Sequence, residues 1–229
     1  SNLWKTSVTI TKSWPKKNGR IERTMLDLLV QNPIAFLIFM AGLVISIGFH
    51  EFAHCFVTDR LGDPTPRIKG RLTLNPLAHL DPIGTLAIIL TGFGWGKAAP
   101  YDPYNLKEPV RDAALIAAAG PASNLLIATI LSILIKLGFG GDFFALFSMQ
   151  LIFINVALAL FNLLPVYPLD GGKIMRALLP HQASLEYEDV MSRYGTIILI
   201  MLVFPWAGGR SAVSALLSPI IDIFLKIFI

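Results

Sequence analysis

Two histidines and a glutamate stand inside an otherwise greasy run, Ile47-Gly48-Phe49-His50-Glu51-Phe52-Ala53-His54-Cys55-Phe56. Four residues of helix advance about 6 Å and slightly more than one turn, so on a helix His50 and His54 share one face. Two imidazoles so placed can chelate one metal ion with Glu51 beside them, and the chemistry suits zinc. A charged group at membrane depth costs about 2.5 to 3.5 kcal/mol on insertion scales, so a polar cluster in such a run reads as a functional site. The bland alternative is three polar side chains satisfied by neighbouring helices.

A catalytic zinc usually takes three protein ligands and leaves one position for water, so a third ligand must come from elsewhere. Asp59 lies off the histidine face; Asp63, His79 and Asp81 are loop candidates, and Glu108 precedes a proline outside any helical setting. Asp170 stands apart. It is a lone carboxylate where a long apolar stretch is broken by Pro165 and Pro168, and Gly171-Gly172 permits close backbone approach. Its alternative is a solvated turn residue capping a helix that begins near Lys173.

The elements that must position these groups follow from composition. Of 229 residues, 54% are hydrophobic and 15% charged, with a mean hydropathy of +0.64. That balance places the chain in a lipid bilayer. Cys55 is the single cysteine, which excludes an intrachain disulfide; it reads as small apolar filling. The net charge of +4 sits in a tail and in loops, suits a membrane surface, and gives no support to nucleic-acid binding.

Residues 1–27 mix Lys5, Lys12, Lys16, Lys17, Arg20 and Arg23 with Trp4 and Trp14, the pattern of a basic interfacial N-terminal arm. Residues 28–229 then form a single membrane-embedded domain. Spans are expected over 33–58, 112–137 and 143–164, with further hydrophobic segments at 188–205 and 211–228. The expected fold is an all-α polytopic membrane protein with a three-helix core, additional hydrophobic helices and room for a small re-entrant hairpin. Residues 80–96 are apolar but short and glycine-broken, which suits a dip into the bilayer without crossing. Topology requires that dip. One net crossing between the histidine helix and the Asp170 helix, supplied by 112–137, brings all three ligands to the same depth. The period-two stretch within 67–75 suggests an edge strand or, equally, an irregular basic loop. His79 reads as part of a capped interfacial turn rather than a proton relay, and His181 as solvated. Lys and Arg in the 59–111 connection and at Lys173 and Arg176 favour the cytoplasm for the metal side, whereas the basic arm would then lie opposite.

With these residues assembled, the sequence resembles the site-2 protease family of intramembrane zinc metalloproteases, in its compact prokaryotic form, from about residue 33 to 228. The resemblance is carried by His50-Glu51-Phe52-Ala53-His54, by Gly120-Pro121-Ala122-Ser123-Asn124, and by Asn162-Leu163-Leu164-Pro165-Val166-Tyr167-Pro168-Leu169-Asp170-Gly171-Gly172. It implies one Zn2+ per chain held by His50, His54 and Asp170, Glu51 as catalytic base, and Asn162 close to the substrate or the reaction centre. It also implies an active site nearer the cytosol, in a bacterial or archaeal inner membrane. The family's usual extra helix ahead of the metal helix and a PDZ-type domain are not evident.

The expected reaction is hydrolysis of a peptide bond in or near a membrane-spanning segment of another protein. Glu51 takes the proton of the attacking water and passes it to the leaving amine. Asn162 either donates to the developing oxyanion or bridges helices. Asn124 is a further substrate-side candidate with a structural alternative. A helical substrate must unwind before attack, and an edge at Leu72, Thr73 and Leu74 would hold it extended by strand addition. Two competitors are a membrane metal-handling protein and a non-catalytic scaffold for transmembrane helices. Both leave Glu51 without a reason.

Overall fold

The computed structural model describes residues 25–91, 94–205 and 211–229. The basic arm lies outside the described residues except for 25–27. Nine helices occur among the described residues: α1 Met25–Gln31, α2 Pro33–Arg60, α3 Thr65–Ile68, α4 Pro82–Thr91, α5 Pro109–Lys136, α6 Gly141–Asn162, α7 Asp170–Leu178, α8 His181–Val203 and α9 Ala212–Phe228. Three of them, α2, α5 and α6, are long and apolar enough to cross a membrane. At 28 residues, α2 and α5 are each about 42 Å long.

Local chemistry sets the helix ends. Pro33 occupies the first turn of α2, where its missing N–H costs nothing, and the Asn32 side chain accepts from the Ala35 amide at 3.0 Å. Asp81 accepts from the Gly84 amide at 2.7 Å and so caps α4. At the head of α5, the Asp112 carboxylate accepts from the Glu108 amide at 3.0 Å, a capping interaction reached from inside the helix.

The core is α2, α5 and α6. His54 meets Ile116 while Ser46 meets Asn124, so falling numbers on α2 match rising numbers on α5 and the pair is antiparallel. The four-residue connection 137–140 folds α6 back along α5. Two sign changes bring the end of α6 to the C-terminal end of α2, as the three-ligand topology requires. Inside a bilayer, apolar burial alone does not favour helix contact, so small side chains and hydrogen bonds must hold the interface. Ala117 and Ala128 are buried, Gly42 of α2 fits against Leu151 and Ile154 of α6, and Asn124 and Asn155 hydrogen-bond across it.

Residues 80–96 do not cross. Leu80 and Gly96 form an antiparallel bridge, which brings the two ends of the segment together at one depth. Gly84 and Gly94 are in backbone contact, too close for a Cβ on either, and α4 packs on α1. The edge strand over 67–75 does not form. Thr65–Ile68 is a short helix, Gly70 turns with φ +64, and 72–74 is a bend whose Thr73 carbonyl faces His79 at 2.8 Å. Strand addition at Leu72, Thr73 and Leu74 therefore lacks the extended backbone it needs.

The two further hydrophobic segments are helices α8 and α9. Leu199 of α8 and Val213 and Leu217 of α9 pack against Leu164, Val166 and Leu169, the loop that leads to Asp170. Farther along, the end of α9 lies against α5, where Lys136 donates to the Ile227 carbonyl at 2.9 Å and Ser132 donates to that of Phe228.

Candidate metal centre

His50 and His54 stand on successive turns of α2 with their rings edge to face, centroids 4.6 Å apart. Each is oriented from behind. The His50 Nδ1 lies 2.6 Å from the Asn124 Oδ1, and the His54 Nδ1 lies 2.6 Å from the Ile116 carbonyl oxygen. Both partners accept, so both Nδ1 atoms carry hydrogen and a neutral imidazole keeps its lone pair at Nε2. Pro121, which has no N–H, interrupts the ladder of α5 between these two anchor points.

The Asn124 amide is held in turn. Its Nδ2 donates to the Asn155 Oδ1 at 2.7 Å, and the Asn155 Nδ2 donates to the Ser46 Oγ at 2.9 Å and to the Leu151 carbonyl at 2.8 Å. Ser46 closes the chain by donating to the Gly42 carbonyl at 2.8 Å. All members are buried. With its nitrogen so engaged, Asn124 can only present oxygen to His50.

Asp170 arrives from the other side. Its Oδ2 lies 3.2 Å from the Nε2 of each histidine, yet makes no hydrogen bond. The three residues are 4%, 5% and 9% exposed in chain order, and their ligand atoms all lie within 4.8 Å of one another. Two lone pairs and a carboxylate oxygen, all buried and facing one point, repel unless a positive charge is shared among them. One carboxylate and two imidazoles whose far nitrogens are hydrogen-bonded fit a tetrahedral divalent ion with one position left over. The space beside them is also specific. A Cβ on Gly120 would lie 2.4 Å from the His54 Nε2 and 2.5 Å from the His50 Cε1.

Asp170 is fixed by the loop 163–169. A Cβ on Gly171 would meet the Leu163 carbonyl at 2.3 Å, and one on Gly172 would meet the Tyr167 ring at 2.1 Å, so the first turn of α7 lies directly against that loop. The Tyr167–Pro168 peptide is cis. Tyr187 of α8 donates to the Pro165 carbonyl at 2.9 Å and packs edge-on to Tyr167. Burial, and after it the neighbouring Tyr167, pushes the Tyr187 phenol up to about 12, so it stays a donor throughout the neutral range.

The rival carboxylates are engaged elsewhere. Asp59 pairs with Arg67 at 2.6 Å, Asp63 binds Thr65, Asp102 and Asn105, Asp81 caps α4, and Glu108 pairs with Arg111 at 3.1 Å. The capped turn expected around His79 forms, with the ring turned inward. Asn75 caps the 3-10 turn Pro76–His79, accepting from Leu77 at 3.1 Å, and the His79 ring is fully buried.

Glu51 is half-buried, and its Oε2 is buried without a partner. Gly96 lies beside it: a Cβ there would stand 3.7 Å from the Glu51 Oε1. Asn162 does not enter the group of three; its Nδ2 donates to the Leu158 carbonyl of its own helix at 2.9 Å. The seven-residue spacing of Asn155 and Asn162 put both on one face of α6, and the deeper one joins the His50 network. Asn155 and the Ile116 carbonyl were not recognisable as parts of the centre from sequence. The first carried an ambiguous signal; the second, a backbone atom, carried none. Gly96 is the third omission, and its signal was Gly94-Trp95-Gly96, glycines too dense for a simple turn.

Comparison with known proteins points to a family of zinc metalloproteases. The profile of peptidase family M50 matches residues 140–202, which hold Asn162 and Asp170. The chain is 36% identical over 213 residues to YwhC of Bacillus subtilis, covering 89% of this chain and 96% of that protein. It is 34% identical over 186 residues to Rip2 of Mycolicibacterium smegmatis, covering 76% and 70%. It is 26% identical over 181 residues to MJ0392 of Methanocaldococcus jannaschii, covering 77% of this chain and 45% of that longer protein. All three carry the name of a zinc metalloprotease. No solved structure matches the chain.

Proposed function

The chain belongs to peptidase family M50, and from that membership we propose how its residues divide the work of a membrane-embedded zinc metalloendopeptidase. The reaction is hydrolysis of peptide bonds in or near the membrane-spanning segments of other proteins. In our reading one zinc ion per chain is held by His50, His54 and Asp170. When bound, zinc supplies Lewis acidity, bringing the pKa of a water toward about 7 and polarising a carbonyl.

Glu51 is the general base and acid. It precedes His54 by three residues on the same helix, and its Oε2, buried and without a partner, is free to take a proton from water and deliver it to the leaving nitrogen. This orphaned carboxylate oxygen, on the residue that follows His50 in α2, together with the three converging ligand atoms, carries the reading. Asn124 we place behind His50 as an orienting group rather than on the substrate. Asn162 keeps one amide hydrogen beyond its bond to Leu158, and we assign that hydrogen to the substrate carbonyl. In our reading the unwound substrate lies along 94–100, which passes Glu51 at Gly96, rather than along 67–75. Residues 28–229 act as one membrane-embedded domain, and the three spans with the basic loops at the metal end suit a cell membrane of a prokaryote, active site toward the cytosol.

The test is cleavage of a single-span substrate by purified protein in detergent, wild type against Glu51→Gln at matched zinc. Loss of at least a thousandfold in kcat with one zinc per chain retained is expected. Equal turnover by both would remove Glu51 from the chemistry, and zinc bound without cleavage by either would favour metal handling.

A further inference from the structure

Arg71 is 6% exposed, and among the described residues no carboxylate stands in ion-pair contact with it. A buried unpaired cation is costly, so something must require it. Its guanidinium is directed at backbone. Nη2 donates to the Lys97 carbonyl at 2.5 Å, and Nη1 reaches the Ala98 carbonyl at 3.4 Å. His79 completes the arrangement. Its Nε2 lies 2.8 Å from the Thr73 carbonyl and so carries the hydrogen, which leaves the Nδ1 lone pair toward the Arg71 Nη2 at 3.4 Å. The His79 carbonyl accepts from the Lys97 amide at 2.8 Å.

Both backbone groups of Lys97 are thus held from the Arg71–His79 side. The neighbouring Gly96 lies between His79 and α2. A Cβ there would lie 3.0 Å from the Ile47 Cγ2, 3.2 Å from the His79 carbonyl and 3.7 Å from the Glu51 Oε1. An apolar side chain at 71 would avoid the desolvation cost but would leave two inward carbonyls unsatisfied. A lysine offers one point of donation where the guanidinium fork spans two successive carbonyls.

We infer that Arg71 is a positioning residue for hydrolysis: with His79 it pins the 96–98 backbone against α2 as the wall that fixes Glu51 relative to the bound substrate. This rests on the assignment of Glu51 as base. Arg71 itself touches neither substrate nor metal. Its effect falls on alignment in the transition state, hence on kcat more than on KM.

The experiment uses the full chain, zinc-loaded in detergent, as wild type, Arg71→Ala, Arg71→Lys and Gly96→Ala. Hydrogen exchange over residues 94–100, zinc content, and kcat and KM on a single-span substrate are measured together. Arg71→Ala is expected to speed exchange of the 94–100 peptide at least tenfold, to lower kcat at least tenfold, to change KM less than threefold, and to leave zinc at one per chain. Arg71→Lys should fall between it and wild type in both exchange and kcat. Gly96→Ala should lower kcat to a similar extent with Arg71 intact. Unchanged exchange in Arg71→Ala, or a kcat loss no larger than its loss of zinc, overturns the inference. If Arg71→Ala does not fold, wild-type exchange and kcat in both Arg71→Lys and Gly96→Ala overturn it as well. If the wild type cleaves nothing, the protease reading fails, and the exchange measurement still decides whether Arg71 pins the segment.

Discussion

The His50 Nδ1 and the Asn124 Oδ1 lie 2.6 Å apart, joining residues 74 positions apart in the chain. That contact fixes which nitrogen of His50 faces Asp170, and Asn155 fixes which end of Asn124 faces His50. The order of dependence sets the order of effects. Asn124→Ala should weaken zinc binding about 10- to 100-fold, the usual consequence of removing a group that orients a ligating imidazole. Asn155→Ala should weaken it less, because Asn124 can still donate to the Ser46 carbonyl, 3.4 Å away. Competition with a chelator of known affinity reads both. Equal zinc affinity in Asn124→Ala and wild type would mean that the contact does not organise the site.

Gly120 supplies a test with an unusual sign. In an exposed helix, glycine to alanine stabilises by about 1 kcal/mol, so a merely permissive glycine would tolerate or reward the change. Here the added methyl would stand 2.4 Å from the His54 Nε2 and 2.5 Å from the His50 Cε1. Gly120→Ala should therefore retain helical content by circular dichroism while losing most bound zinc and most cleavage. Full zinc content in the variant would show that the imidazoles have room that the geometry denies them.

The elements with long apolar runs were legible because length and hydropathy alone define them: the expected spans at 33–58, 112–137 and 143–164 correspond to α2, α5 and α6 within a few residues. Asp170 was legible too, since prolines and glycines around a lone carboxylate signal a broken helix. What failed lay in the connection 61–108. There Arg71 looked like part of a basic loop and His79 like part of an interfacial turn, and only the fold shows that both are buried. Alternation of apolar and polar residues over 67–75 could not distinguish a strand from a bend that buries one arginine. The orienting partners of the two histidines differ in kind for the same reason. Asn124 has a side chain that a motif can register, whereas the Ile116 carbonyl has no identity in the sequence.

Asp63 gives a pH-dependent prediction away from the chemistry. It is fully buried, and its carboxylate accepts from the Thr65 amide at 3.0 Å, the Thr65 hydroxyl at 2.5 Å, the Asp102 amide at 2.6 Å and the Asn105 side chain at 2.8 Å. It thereby ties the 102–105 turn to the end of α2. Burial alone would raise this carboxyl, but the hydrogen bonds from Thr65, Asp102 and Asn105 outweigh it and hold the group below the usual carboxylate range. A group lower in the folded state than in the unfolded one contributes stability that is present above its unfolded value, about 4, and is lost as pH falls through the folded value. The wild type should therefore hold its stability from pH 7 to about 5 and lose this contribution below about 4. Asp63→Asn should be less stable at pH 7 by about 1 to 3 kcal/mol, since one charged acceptor of several donors becomes a neutral amide with its own hydrogens to place. The difference between the two proteins should shrink as the pH drops below about 4. Thermal unfolding in detergent across that range, with protease nicking near 102–105 as the local readout, decides it. A constant offset between wild type and variant at all pH values would mean that folding does not shift the Asp63 carboxyl.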